Sequence, residues 1–147
     1  MIRSSELREI YPIYCYAPKG DTVTFASLKN LIGKTAKVHG IPVAFELNEI
    51  TSRKSNEITV EDCLVVYHPK HRQDYINIVF RIRREADIAY ISKNEYGTSP
   101  RMKSTNMFDE ASKLRNPLRK VIEDDKELEA EKRYYLALHA VFNFLKC

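Results

Sequence analysis

Residues 62–83 read DCLVVYHPKHRQDYINIVFRIR. They divide into two extended runs around one polar joint. "DCLVVY" (62–67) is largely apolar and rich in β-branched and aromatic types, the composition of a strand. "YINIVFRIR" (75–83) alternates, with Ile76, Ile78, Phe80 and Ile82 on one face and Tyr75, Asn77, Val79, Arg81 and Arg83 on the other. Pro69 bars a helix from running through the joint, so 68–74 reads as a solvated connection. "READ" (84–87) then makes a short hairpin loop into "IAYIS" (88–92), and upstream "PVAFELNEI" (42–50) alternates in the same way. Consecutive strands with short connections predict an antiparallel sheet.

Outward from this centre the chain becomes more helical. "IYPIYCY" (10–16) reads as a strand, placed at an edge because Pro12 cannot donate to a ladder. "APKGD" (17–21) is turn chemistry, and Thr22–Phe25 reads as a return strand. Phe25, Leu28, Leu31, Ile32 and Thr35 recur at helical spacing and predict a helix over 25–38, capped by Thr24 and closed by Gly40 and Pro42. Residues 51–57 form a polar connector, and 92–106 a mobile loop. A helix capped by Asn106 ends near Asn116–Pro117, Pro117 opens another, and 123–147 is helical to its end. The expectation is one α+β domain over 1–147. An antiparallel sheet of about four to five strands has helices covering one face, and 107–147 is a helical C-terminal segment. The other face shows water Tyr75, Asn77, Arg81 and Arg83.

The 147 residues carry a net charge of +4, and the excess lies mid-chain, where 51–120 holds 14 basic against 9 acidic side chains. That balance is mild for a duplex-DNA binder. Cys15, Cys63 and Cys147 are odd in number and form no CxxC pair, which indicates reduced thiols and a cytoplasmic setting. No apolar run is long enough to span a bilayer, so no membrane partner is expected.

Three stretches carry possible chemistry. His68, His71 and Asp74 are metal-ligand types, but they share no helix face, and Lys70 and Arg72 would repel a cation beside them. Tyr75, Arg81 and Arg83 project from one strand face, a pattern suited to stacking bases and neutralising phosphates of a single strand. "LIGKT" (31–35) ends like a phosphate loop, but Leu28 stands where the leading glycine is needed. Cys15 and Cys63 sit in apolar strands, as inert thiols do. No serine nucleophile motif occurs, and no catalytic residue or cofactor is assigned.

The C-terminal segment is the most distinctive. From Tyr134 onward it is apolar on most sides, and such a helix has to be covered on most sides. The cover is either the domain's own sheet or a second molecule. The leading expectation is a non-enzymatic interaction or regulatory module. Its partner, another protein or a second copy, would meet Tyr134, Leu138, Phe142, Phe144 and Leu145. Single-stranded nucleic-acid binding through Tyr75, Arg81 and Arg83 comes second. A metal-dependent enzyme built on the His68/His71 loop comes third.

Overall fold

The computed structural model describes residues 1–16, 23–85, 88–99 and 126–143; for 9–16 it describes the backbone alone. Along the chain come β1 (Ile2–Arg3), a 3-10 turn (Ser4–Glu6), β2 (Leu7–Tyr16), α1 (Phe25–Val38), β3 (Ala44–Lys54), β4 (Glu57–Tyr67), β5 (Asn77–Glu85), β6 (Ile88–Tyr96) and α2 (Lys126–Phe142). The strands form one sheet in the order β1-β3-β4-β5-β6-β2. Every pairing is antiparallel except β1 with β3, where Ile2 stands opposite Ile50. The α+β class matches expectation, whereas the sheet has six strands and is mixed.

The order of the strands dictates the shape of the sheet. β1 and β2 follow each other through three residues, yet they occupy opposite edges. Arg3 to Leu7 reaches about 14 Å at full stretch. Five inter-strand spacings in a flat sheet would separate the edges by about 24 Å. The sheet therefore curls until its edges approach, giving a nearly closed barrel. β2 takes the edge position that Pro12 requires, and its pairing with β6 shifts register on both sides of Tyr11.

Curling gives the sheet two buried faces. On the outer face, Leu64, Val66, Ile78, Phe80, Ala89 and Ile91 pack against Leu28, Ile32 and Ala36 of α1 and Tyr135, Leu138, Val141 and Phe142 of α2. On the inner face, Ile2, Ile50, Cys63, Val65 and Val79 form a second cluster, joined by Leu7, Tyr67 and Tyr96. Asn77 and Val79 were expected to face water; both are buried because that side of the sheet closes on itself. Tyr75 is buried as well. Arg81 and Arg83 lie beyond the barrel wall and reach solvent.

Local signals decide the elements. The Thr24 hydroxyl accepts from Ser27 N at 3.1 Å, and Ser27 Oγ accepts from Thr24 N at 2.8 Å, so α1 starts on a reciprocal cap. It ends at Gly40, whose φ of +69° favours glycine. No strand forms over residues 23–25, because the helix has already been capped. The expected connector at 51–57 is instead the tip of a long hairpin. β3 and β4 pair without interruption from Ala44–Tyr67 to Lys54–Glu57, turning at Ser55–Asn56. β6 likewise runs on to Tyr96, into the segment expected to be a mobile loop; residues 100–125, with the two helices expected there, lie outside the described residues.

α2 covers the outer face with a mixed surface. It buries Leu128, Tyr135, Leu138, Val141 and Phe142, but also Glu131, Lys132 and His139. Opposite them β6 buries Lys93 and Glu95. Lys93 Nζ lies 5.7 Å from the centre of the Phe142 ring, and burial lowers its pKa from 10.5 to about 8. Between those values the unfolded chain holds a proton that the folded chain has released, so stability rises with pH across this window. Cys63 acts in the opposite sense above pH 9, because burial raises its thiol from 9.0 to about 11. The unfolding free energy from urea titration should therefore climb from pH 8 to 9, by at most about 1.4 kcal/mol per pH unit, and Lys93→Met should abolish the climb. Equal slopes in both proteins would show that Lys93 does not titrate in that window.

Candidate functional site

The polar joint between β4 and β5 folds over one end of the barrel. Two short-range bonds shape it: His71 N donates to His68 O, and Tyr75 N to His71 O, each at 3.0 Å. Lys70 N donates to His68 Nδ1 at 3.1 Å, so neutral His68 carries its proton on Nε2. The Asp74 carboxylate lies 3.1 Å from His71 Nδ1. The His71 ring stacks on Tyr75, with centroids 4.2 Å apart and planes within 8°. His68 stands edge-on to His71 and to Tyr134, at 4.7 Å from each. Burial first, and then the neighbouring His71 and Lys70, hold the pKa of His68 below the ordinary histidine value. The Tyr134 hydroxyl donates to Pro42 O at 2.7 Å, and burial raises its pKa. His68 and His71 are thus built into an aromatic cluster that fastens the joint to α2. Among the described residues no three His, Cys, Asp or Glu side chains are grouped to hold a metal.

Tyr75 has a second neighbour, a cavity of about 400 Å³ at the mouth of the barrel. β3 contributes Glu46 and Asn48; the joint contributes Arg72, Gln73 and Tyr75; the end of β6 contributes Tyr96, Gly97 and Thr98. Ile2 and Val65 provide apolar wall, and Asn77 completes the lining. At the rim the Arg72 guanidinium pairs with the Glu46 carboxylate and lies over the Tyr67 ring, 4.5 Å from its centre. The chain turns at Gly97, whose φ of +88° favours glycine, and Arg8 Nη2 donates to its carbonyl at 2.6 Å.

Asn77 is only 8 % exposed, and its Oδ1 is buried without a hydrogen-bond partner among the described residues. Asn94 is 4 % exposed, and its Nδ2 is in the same state. Asn77 pairs with Tyr96 and Asn94 with Val79, so the two amides are diagonal neighbours on the inner face. An unmet acceptor therefore lies on the inner face diagonal to an unmet donor, and of the two residues Asn77 is in the cavity lining. Each such atom costs about 1–3 kcal/mol when nothing satisfies it. Glu131 holds the cavity walls from behind: its Oε2 accepts from Ile76 N at 3.4 Å and its Oε1 from Ser99 Oγ at 2.5 Å.

No protein-family model, curated protein or solved structure matches the chain. The functional reading therefore rests on this geometry. No helix among the described residues is long and apolar enough to cross a membrane.

The residues singled out in the sequence fall in different places. Tyr75 lines the cavity, whereas Arg81 pairs with Glu61, and Arg83 lies 3.5 Å from Glu85 and 5.3 Å from the centre of the Tyr90 ring. Within β5, Asn77 and Arg83 are six residues apart, about 20 Å, and Tyr75 lies two residues before the strand, so the three do not form one patch. Leu138 and Phe142 are buried in the chain's own core, Tyr134 is half-buried, and Phe144 and Leu145 lie outside the described residues. Asn48, Gln73, Asn77, Asn94 and Glu131 were not singled out. The one available signal was Asn77, a carboxamide interrupting the apolar run "YINIVF".

Proposed function

We propose that the protein is a non-enzymatic regulatory module that binds a small, uncharged, multiply hydrogen-bonding molecule in the mouth of its curled sheet. The observation that carries this is a 400 Å³ cavity whose lining gathers the carboxamides of Asn48, Gln73 and Asn77 beside the rings of Tyr75 and Tyr96. Barrel mouths are common ligand sites, and this volume falls within their usual range of about 300–1,000 Å³. The lining favours a neutral guest. Among the described residues its charged side chains are Glu46 and Arg72, which are paired with each other. Asn48, Gln73 and Asn77 supply both donors and acceptors, and Tyr75 and Tyr96 supply aromatic surface. A monosaccharide or a nucleoside has the matching chemistry. Glu131 supports a regulatory role, because it ties the chain beside Tyr75 and the chain beside Thr98 to α2. A guest that moves either wall would be felt by that helix.

Docking of a partner on α2 has less support, since Leu138 and Phe142 already pack on the sheet. The test uses thermal-shift and calorimetric titration with separate panels of nucleosides, neutral monosaccharides and charged amino acids. A neutral class should raise the melting temperature of the natural chain and fail to raise that of Asn77→Leu. Without ligand, Asn77→Leu should itself be more stable by about 1 kcal/mol, because the unmet amide is gone. Loss of stability in Asn77→Leu together with an unchanged ligand response would reject the site.

A further inference from the structure

A second surface lies at the opposite end of β4. The β4–β5 ladder covers only Leu64–Val66 and Ile78–Phe80. Beyond it the strands diverge. In the backbone ladder β4 is paired to β3 alone from Glu57 to Cys63, and β5 to β6 alone from Arg81 to Glu85, while the Arg81–Glu61 ion pair reaches across the gap on the inner face. Residues 57–62 are all exposed. Natural sheets generally blunt such an edge with lysine, proline or a bulge. Here the β3–β4 register is unbroken over its whole length.

The side chains along this edge are unusual. Ile58 is 63 % exposed, Val60 52 % and Leu47 of the neighbouring strand 69 %. Alternation places all three on the outer face, beyond the cover of the helices. On that same face Asp62 stands directly opposite Glu49. Like charges opposed across a ladder destabilise it, and among the described residues neither carboxylate has a cationic partner. A strand laid beside β4 would place its own outward side chains next to Ile58, Val60 and Asp62.

We propose that the open edge of β4 takes up an extended segment of a partner protein by strand addition, with apolar residues beside Ile58 and Val60 and a lysine or arginine beside the Asp62–Glu49 pair. Backbone hydrogen bonds supply affinity in this mode, and the alternating side chains supply selectivity. A second copy of the chain fits poorly. Antiparallel self-pairing keeps opposed residues on one face and so centres on a residue: centred on Val60 it sets Ile58 against Asp62, and centred on Thr59 it sets Glu57 against Glu61.

The test is amide hydrogen exchange of the full chain with two nine-residue peptides. Both alternate valine with threonine; one carries a central arginine and the other a central glutamate. The arginine peptide should protect amides within 57–62, and the glutamate peptide should bind roughly tenfold more weakly, the scale of one charge-assisted contact. Asp62→Arg should reverse that preference while leaving the fold intact, since the residue is exposed. Equal protection by both peptides, or none by either, overturns the proposal. So does concentration-dependent protection of 57–62 without peptide, which would make a second copy the occupant.

Discussion

Phe142→Ala should lower the unfolding free energy by about 3–5 kcal/mol. The Phe142 ring is 3 % exposed and meets Phe80 edge-on, with centroids 4.9 Å apart and planes at 88°. Phe80 is itself fully buried in the outer-face core. Truncation removes the transfer energy of an aromatic side chain and leaves a void between α2 and the sheet. Neither wall can move in to fill that void: β5 is held by ladders on both sides at Phe80, and α2 is fixed through Leu138 and Tyr135. The change also separates two roles for this helix. An aromatic anchor waiting for a partner would lose affinity on truncation and keep the fold, whereas a core residue loses the fold first. Denaturant unfolding decides between them, and a loss below about 1 kcal/mol would favour the anchor.

Glu131→Ala is expected to cost about 2–6 kcal/mol, from two buried donors deprived of their acceptor at about 1–3 kcal/mol each. Glu131 is 1 % exposed, and it serves Ile76 N and Ser99 Oγ at once. Those donors border opposite walls of the mouth cavity, next to Tyr75 and Thr98. Loss of the carboxylate therefore loosens the joint as well as the core, and amide exchange at 71–77 should quicken more than at 46–50. Glu131→Gln keeps one acceptor oxygen and the shape, so it should fall between Ala and the natural residue. A Gln variant as damaged as Ala would show that the negative charge matters more than the hydrogen bonds.

The sequence carried the elements better than their arrangement. α1 was legible because Phe25, Leu28 and Ile32 recur at helical spacing behind a threonine cap. The central strands were legible from "DCLVVY" and "YINIVFRIR". β1 was not: two residues carry no periodicity, and their pairing with β3 is a long-range event. The outer halves of β3 and β4 were hidden for another reason. Both faces of that ribbon meet solvent, so "TSRKSNE" shows no alternation. The largest misreading concerned Asn77 and Val79. Alternation identified their face correctly, but not that the sheet curls to enclose it. The mouth site shares that origin. Asn48, Gln73 and Asn77 are individually ordinary polar residues, and only closure of the sheet brings them to one cavity. The apolar series on α2 was plain, and its cover at Leu138 and Phe142 is the chain's own sheet.

The crossing of residues 2–16 from one rim of the sheet to the other has a consequence for biosynthesis. On the ribosome β2 is made some eighty residues before its pairing partner, Ile88–Tyr96. Until then this proline-bearing aromatic strand has no place to settle, and the barrel stays open along a seam. The nascent polypeptide must keep this strand waiting while the intervening residues are made, and a chaperone that shields Leu7–Tyr16 should raise the yield of correctly closed molecules.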